Sequence, residues 1–238
     1  MALITGASSG IGRAASLALA GEGADVVLVA RRVELLEQVV AEVRARGVVA
    51  LACPADITDQ AGVEAVLQAA RSRFGRLDVV VNNAGANVIR RSLAEVSVED
   101  WQTMVEVNLT GTFLVTRAAL PIMRAQGQGT IINVASWAGK RARLVNGPGY
   151  CAAKAGVISF TESINLEERP HGIRACAICP GAVNTDFLSR RVNPPTAAER
   201  ALMLTPEDIA SAIVFVATLP QRVTVEEMII QPTASRSG

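Results

Sequence analysis

The sequence predicts an α/β fold, a single doubly wound domain over residues 1–238 with about seven parallel strands and helices on both faces. Three observations predict it. Short apolar runs alternate with helix-periodic segments along the whole chain. Half of the residues are hydrophobic but only 3% are aromatic, so Ala, Val, Leu and Ile must build the core, as suits helices packed on a parallel sheet. A glycine-rich turn, "TGASSGIG", stands between the first apolar run and the first helical segment.

The elements follow in order. "ALIT" (2–5) reads as a short buried strand, and a helix starts near residue 10 and stops at Gly21 or Gly23. "DVVLVA" (25–30) is a second strand, followed by an amphipathic helix over 33–46 that Gly47 ends. "VVALAC" (48–53) precedes a helix over 60–73, and "LDVVVNN" (77–83) precedes one long helix over 99–126. "GTIINVAS" (129–136) leads to a helix over 150–169 carrying Tyr150, the only tyrosine in the chain. "IRACAIC" (173–179) is a sixth strand. Thr205 as N-cap, Pro206 and two acids open a helix over 205–218. "RVTVEEMIIQ" (222–231) is the last strand, and "TASRSG" (233–238) reads as a frayed tail. Strands alternating with helices imply right-handed crossovers, with ligands bound beyond the carboxyl ends of the strands.

Composition excludes several classes. The net charge of +1 comes from scattered residues of both signs and leaves no footprint for nucleic acid or an anionic membrane. No apolar run reaches the roughly 18 residues of a membrane span. "MALITG" opens inside a strand, leaving no room for a signal peptide, so a cytoplasmic protein is expected. Strand alternation sends Cys176 and Cys179 to opposite faces, which speaks against a redox pair or zinc site. The single histidine, His171, reads as a surface loop residue, and no metal is expected.

The strand ends carry the chemistry. Gly6, Gly10 and Gly12 allow a tight turn that brings a pyrophosphate to the backbone N–H groups of a helix start. The second strand ends in Ala30 where a reader of a free ribose hydroxyl would place an acid, and Arg31 and Arg32 follow; Arg31 could pair with a 2′-phosphate. Asp56, after the third strand, could accept from an adenine amine or cap the next helix. "NNAG" (82–85) could line a ribose, and Ser136 and "PGAVNT" (180–185) follow the fifth and sixth strands.

With those residues assembled, the chain resembles the short-chain dehydrogenase/reductase family over nearly its whole length. The matching motifs are TGxxxGxG at 5–12, NNAG at 82–85, Asn108 within a helix, Ser136, YxxxK at 150–154 and PGxxxT at 180–185. The resemblance implies a Rossmann-type fold and a catalytic tetrad of Asn108, Ser136, Tyr150 and Lys154. It implies cofactor contacts from Gly6, Ser8, Ser9, Gly10, Ile11 and Gly12, from Arg31, Arg32, Asp56 and Ile57, and from Asn83, Ala84 and Gly85. Tyr150, Lys154, Pro180, Gly181, Val183 and Thr185 complete that set. Serine in the glycine motif and a basic residue after the second strand resemble the NADP-preferring members, so NADP(H) is expected, with NAD(H) the alternative. The C-terminal "LPQRVTVEEMIIQPT" departs from the family's glycine-rich ending and is closer to hydroxy-acid and broad carbonyl dehydrogenases.

A free phenol ionises near ~10. Lys154, four residues along the same helix face, is expected to favour the phenolate, so that Tyr150 serves as general acid in reduction and general base in oxidation. Ser136 can bond the carbonyl oxygen as charge develops. By resemblance, Lys154 also holds the nicotinamide ribose, Asn108 positions a water joining Lys154 to solvent, and Thr185 holds the carboxamide. On its own residues, Asn108 reads only as a poor helix former tolerated by packing.

The function expected is NADP(H)-dependent interconversion of a carbonyl compound and a secondary alcohol. A 3-oxoacyl thioester reductase or a 3-hydroxy-acid dehydrogenase are alternatives on the same scaffold, and a dinucleotide-binding sensor is the non-enzymatic one. The segments after Ser136 and around 186–205 are expected to close the pocket, with Trp137, Val145, Phe187 and Leu188 as walls and Arg141, Arg143, Arg190 and Arg191 at the rim. The broadly apolar helices at 99–126 and 150–169 point to a homodimer or homotetramer.

Overall fold

The runs "ALIT", "VVLVA" and "IRACAICP" lack polar alternation, and in a computed structural model of the protein every residue in them is buried. The structure describes residues 1–234, except for the side chain of Arg190; the end of the expected C-terminal tail, 235–238, lies outside the described residues. The strands are β1 (Ala2–Thr5), β2 (Val26–Ala30), β3 (Ala50–Pro54), β4 (Val79–Asn82), β5 (Gly129–Val134), β6 (Ile173–Pro180) and β7 (Glu227–Ile230). The helices are α1 (Gly10–Gly21), α2 (Val33–Arg44), α3 (Gln60–Phe74), α4 (Val98–Val105), α5 (Gly111–Gln126), α6 (Trp137–Lys140), α7 (Pro148–Glu168), α8 (Ala197–Ala201) and α9 (Pro206–Thr218).

All strand pairs are parallel, in the order β3-β2-β1-β4-β5-β6-β7. The order reverses between β1 and β4, where Ile4 lies opposite Leu28 on one side and Val81 on the other. Such a reversal opens a crevice at the carboxyl ends. Ile4, Leu28, Ile132 and Ile178 pack against α1, α2 and α9 on one face. Leu3, Val27, Val80 and Ile131 pack against α3, α5 and α7 on the other. This is the Rossmann-type α/β architecture the alternation predicts. Among the described residues no helix is long and apolar enough to cross a membrane.

Cys176 and Cys179 face opposite layers, as strand alternation requires, and all four cysteines are buried free thiols. Thr205 caps α9 by accepting from the Asp208 N–H, and Asp208 accepts from the Thr205 N–H in return. His171 is exposed in a 3₁₀ turn at Arg169–His171, as expected of a surface residue, with Nδ1 3.3 Å from the Glu168 carboxylate.

The long helix expected over 99–126 is not continuous. A π-helical turn, Glu106–Thr110, separates α4 from α5. Asn108 lies in it, donating through Nδ2 to the carbonyls of Met104 and Ala86, both at 2.8 Å. The last strand is shorter than the run that predicted it, and the segments expected to close the pocket contain α6, α8 and a 3₁₀ turn over Asp186–Arg190. A third feature without a sequence signal is Arg174 of β6. It is buried, and its guanidinium donates to the carbonyls of Val216, Leu219, Pro220 and Val223, fixing the α9–β7 connection.

Candidate active site

The crevice is built first by the β1–α1 turn. Gly6 and Gly10 hold φ of +63° and +53°, a region costly for other residues. A Cβ on Gly12 would lie 2.2 Å from the Gly6 carbonyl oxygen, so glycine lets α1 begin hard against the turn. No side chain caps α1; Ser9 is its extended N-cap residue, and the hydroxyls of Ser9 and Ser8 instead accept from Arg32 Nη2 at 2.7 and 3.1 Å. The helix start therefore offers free N–H groups, a partial positive charge and a guanidinium, a set suited to phosphates.

Arg31, expected to pair with a 2′-phosphate, is mostly solvent-exposed and bonds Asp56 at 3.3 Å, while Arg32 reaches over the turn to Ser8 and Ser9. Asp56 does not cap α3, which is capped by Asp59. Its carboxylate accepts from the N–H and hydroxyl of Thr58. Partial burial pushes that carboxyl up, but the Thr58 bonds and the Arg31 charge outweigh it and leave it below the usual range.

At the end of β4 the crevice is stitched shut from below. The Thr5 hydroxyl accepts from the N–H groups of Asn83 and Ala84, both at 3.0 Å, and Asn83 Nδ2 donates to the Thr5 carbonyl. Asn82 Nδ2 donates to Asn133 and Thr116, and Asn133 in turn donates to Thr161. Thr116, Asn133 and Thr161 went unnoticed in the sequence; a polar residue inside an otherwise apolar strand is the signal that could have found Asn133.

Across the crevice stand the residues of the expected tetrad. Ser136 follows β5 and caps α6, its Oγ accepting from Ala138 N–H at 3.1 Å. Tyr150 and Lys154 lie on the first turns of α7 and are 8% and 4% exposed. Lys154 Nζ donates to the Val134 carbonyl at 2.8 Å and lies 5.8 Å from the Tyr150 ring centre. Burial pushes the Tyr150 phenol up to about 12, although the Ser136 hydroxyl and the Arg191 charge pull the other way. Burial likewise pushes the Lys154 ammonium down to about 8. Desolvation is thus the largest influence on both groups. Asn108 is fully buried behind Gly85, where a Cβ would lie 2.9 Å from Asn108 Oδ1 and 3.7 Å from Lys154 Nζ.

These elements enclose one cleft of about 360 Å³. Gly6, Ser8, Ser9, Gly10 and Ile11 line it, as do Arg31, Arg32, Asp56 and Ile57 from the second and third strand ends. Asn83, Ala84, Gly85, Ser136, Tyr150 and Lys154 form its middle, and Pro180, Gly181, Val183 and Thr185 its far side. Gly12 and Asn108 stand behind the surface. Of the expected walls, Phe187 and Leu188 line the cleft, with Phe187 5.9 Å from Tyr150 between ring centres. Trp137 and Val145 do not: Trp137 carries the Arg141 guanidinium on its ring, and Val145 is exposed. Among the expected rim cations Arg191 lines the cleft, Arg141 and Arg143 do not, and the side chain of Arg190 lies outside the described residues. The base of the 186–203 segment is pinned by Leu204 N–H to Ala182 and Asn184 N–H to Leu204.

A glycine-rich helix start suited to phosphates, beside a half-buried Ser136 and the buried Tyr150 and Lys154 on a doubly wound sheet, defines a nucleotide-dependent oxidoreductase. The chain belongs to the short-chain dehydrogenase family, whose model matches residues 1–195, and it is an NAD(P)-dependent enzyme of that family. It is 39% identical over 227 residues to a 3-oxoacyl-[acyl-carrier-protein] reductase of Synechocystis, covering 92% of this chain and 90% of the relative. Among solved structures, an alcohol dehydrogenase of the archaeon Thermococcus sibiricus complexed with 5-hydroxy-NADP superposes with a TM-score of 0.90 at 33% identity, covering 100% and 98% of the two chains. A levodione reductase superposes at 0.89 with 35% identity over 97% and 95%.

Proposed function

We propose that the protein interconverts a carbonyl compound and a secondary alcohol with NADP(H), Tyr150 moving the proton. One observation carries the reading: Ser136, Tyr150 and Lys154 share a cleft with an uncapped glycine-rich helix start. Arg32, poised over Ser8 and Ser9, and the neighbouring Arg31 hold a 2′-phosphate, and the N–H groups of Gly10 to Gly12 hold the pyrophosphate. The archaeal relative solved with 5-hydroxy-NADP supports the choice of NADP over NAD. Lys154, Asn83 and Gly85, in the middle of the cleft, would hold the nicotinamide ribose, and Pro180, Gly181, Val183 and Thr185, on its far side, the carboxamide.

The bound nicotinamide supplies or takes the hydride. Tyr150 donates its proton to the oxygen of the forming alcohol, and Ser136 donates a hydrogen bond to that oxygen as it gains charge. The Lys154 ammonium, held by the Val134 carbonyl, compensates the phenolate left behind. Asn108 fixes the backbone at Ala86 and presents Oδ1 toward Lys154, where it can hold a water.

Residues 1–238 act as one catalytic unit, with 186–205 covering the substrate. The unit assembles as a homodimer or homotetramer through α4, α5 and α7, where Phe113 and Leu166 are exposed. A cytoplasmic location suits four unpaired cysteines. A 3-oxoacyl thioester reductase is the second reading, favoured by the likeness to the Synechocystis protein. The test is NADPH oxidation with a panel of ketones and a 3-oxoacyl thioester, in wild type and Tyr150→Phe. Turnover lost roughly a hundredfold or more in the variant, with NADPH still bound, is expected. NADPH binding without turnover of any carbonyl compound would make the protein a nucleotide sensor instead.

A further inference from the structure

Among the described residues one guanidinium, Arg191, lines the substrate side of the cleft, with Arg91, Arg143 and Arg200 in the surroundings. Arg191, half-buried at the end of the 3₁₀ turn, lines the cleft that Ser136, Tyr150 and Phe187 also line. Arg143 and Arg200 lie near enough to repel it, and it repels Arg91 in turn. Arg200 is occupied by Asn184 Oδ1 at 3.0 Å and the Thr185 carbonyl, and buried Arg91 donates to the carbonyls of Ile89 and Val145. Among the described residues no carboxylate forms an ion pair with Arg191. Asp186 lines the cleft without reaching it, and Asp56, at the opposite end, is taken by Arg31.

A half-buried cation pressed by like charges and lacking an acid is held at a cost that a bound anion removes. Phe187, on the 3₁₀ turn that Arg191 ends, stands 5.9 Å from Tyr150 between ring centres, so that turn brings Arg191 to the Tyr150 side of the cleft rather than to its phosphate end. We infer that Arg191 recognises an anionic group, carboxylate or phosphate, carried by the substrate close to its reacting carbonyl. Phe187 and Leu188 supply the apolar contact between the two groups. The inference rests on the proposed role of Tyr150 and narrows that reading to acidic carbonyl compounds.

The test compares acetoacetate with methyl acetoacetate, a pair that differs in the anion alone, as substrates with NADPH. The readout is the acid-to-ester ratio of kcat/KM. Any influence of Arg191 on the phenol alters both substrates alike and cancels in the ratio. Wild type should favour the acid, Arg191→Gln should lower the ratio by roughly ten- to a hundredfold, the span of a charge-assisted bond, and Arg191→Lys should restore part of it. A ratio near one in wild type, or one unmoved in Arg191→Gln, overturns the inference. So does an NADPH affinity that falls in the variant along with both substrates, because the guanidinium would then be reading a cofactor phosphate. If wild type reduces neither compound, the oxidoreductase reading fails separately, and calorimetric binding of acetoacetate decides the anion site. Binding lost in Arg191→Gln sustains it, and binding equal in the two proteins or absent from both refutes it.

Discussion

Tyr150 is the only tyrosine in the chain, so its ionisation can be read directly from phenolate absorbance near 295 nm without labelling. Burial raises its pKa from 10.0 to about 12, a preference of about 3 kcal/mol for the neutral phenol. At pH 10.5 a free phenol is about three-quarters ionised, whereas one of pKa near 12 is ionised only to a few per cent. The folded, unliganded protein should therefore show almost no phenolate at pH 10.5, and urea should release about three-quarters of the full signal at the same pH. The folded pKa is the higher one, so this residue's stabilising contribution is complete below pH 10 and is lost as the pH rises through 10 toward 12. Saturating NADP⁺, which carries a positive ring, should move the half-ionisation point down. Phenolate appearing near pH 10 in the folded protein would refute the burial argument. An unmoved titration with NADP⁺ bound would refute the placement of the nicotinamide beside Tyr150.

Lys154 should behave with the opposite sign. Its folded pKa of about 8 lies below the ordinary 10.5, so wild-type stability should rise relative to Lys154→Met by about 2 kcal/mol between pH 7 and 9.5, read from urea midpoints; parallel pH dependences would show an unshifted lysine. Arg32→Ala should shrink the preference for NADPH over NADH by roughly tenfold or more and Arg31→Ala by less, since Arg31 is exposed and already paired; the reverse order in fluorescence titrations would return the 2′-phosphate to Arg31. Gly12→Ala drives a methyl group into the Gly6 carbonyl and should abolish NADPH binding or unfold the protein, and a variant with wild-type affinity would show that the turn can open.

The parts legible in the sequence are those set by short-range geometry. The glycine spacing at 6, 10 and 12, the i to i+4 placement of Tyr150 and Lys154, and the strand alternation that separates Cys176 from Cys179 need only local backbone rules. What escaped depends on distant chain segments. Whether Arg31 or Arg32 covers the glycine turn is decided by Asp56, which β3 brings from 25 residues away. Whether Arg143 or Arg191 enters the cleft is decided by how the 186–203 segment folds back on Leu204. Burial, which no local pattern reports, acts on both the Tyr150 phenol and the Lys154 ammonium.

The π turn at Glu106–Thr110 has a geometric consequence for the helices on either side. In an unbroken α-helix, Met104 and Val115 would face within about 20° of one another. The turn absorbs about one residue, rotating the following helix by about 100° relative to the preceding one. Met104 can then pack beside Tyr150 while Val115, Ala119 and Met123 pack on the sheet. Asn108 thus stands at a phase shifter between the half of the helix that borders the chemistry and the half that belongs to the core. Deleting one residue from 106–110 would restore a regular helix and leave one of those two faces out of step with its partner.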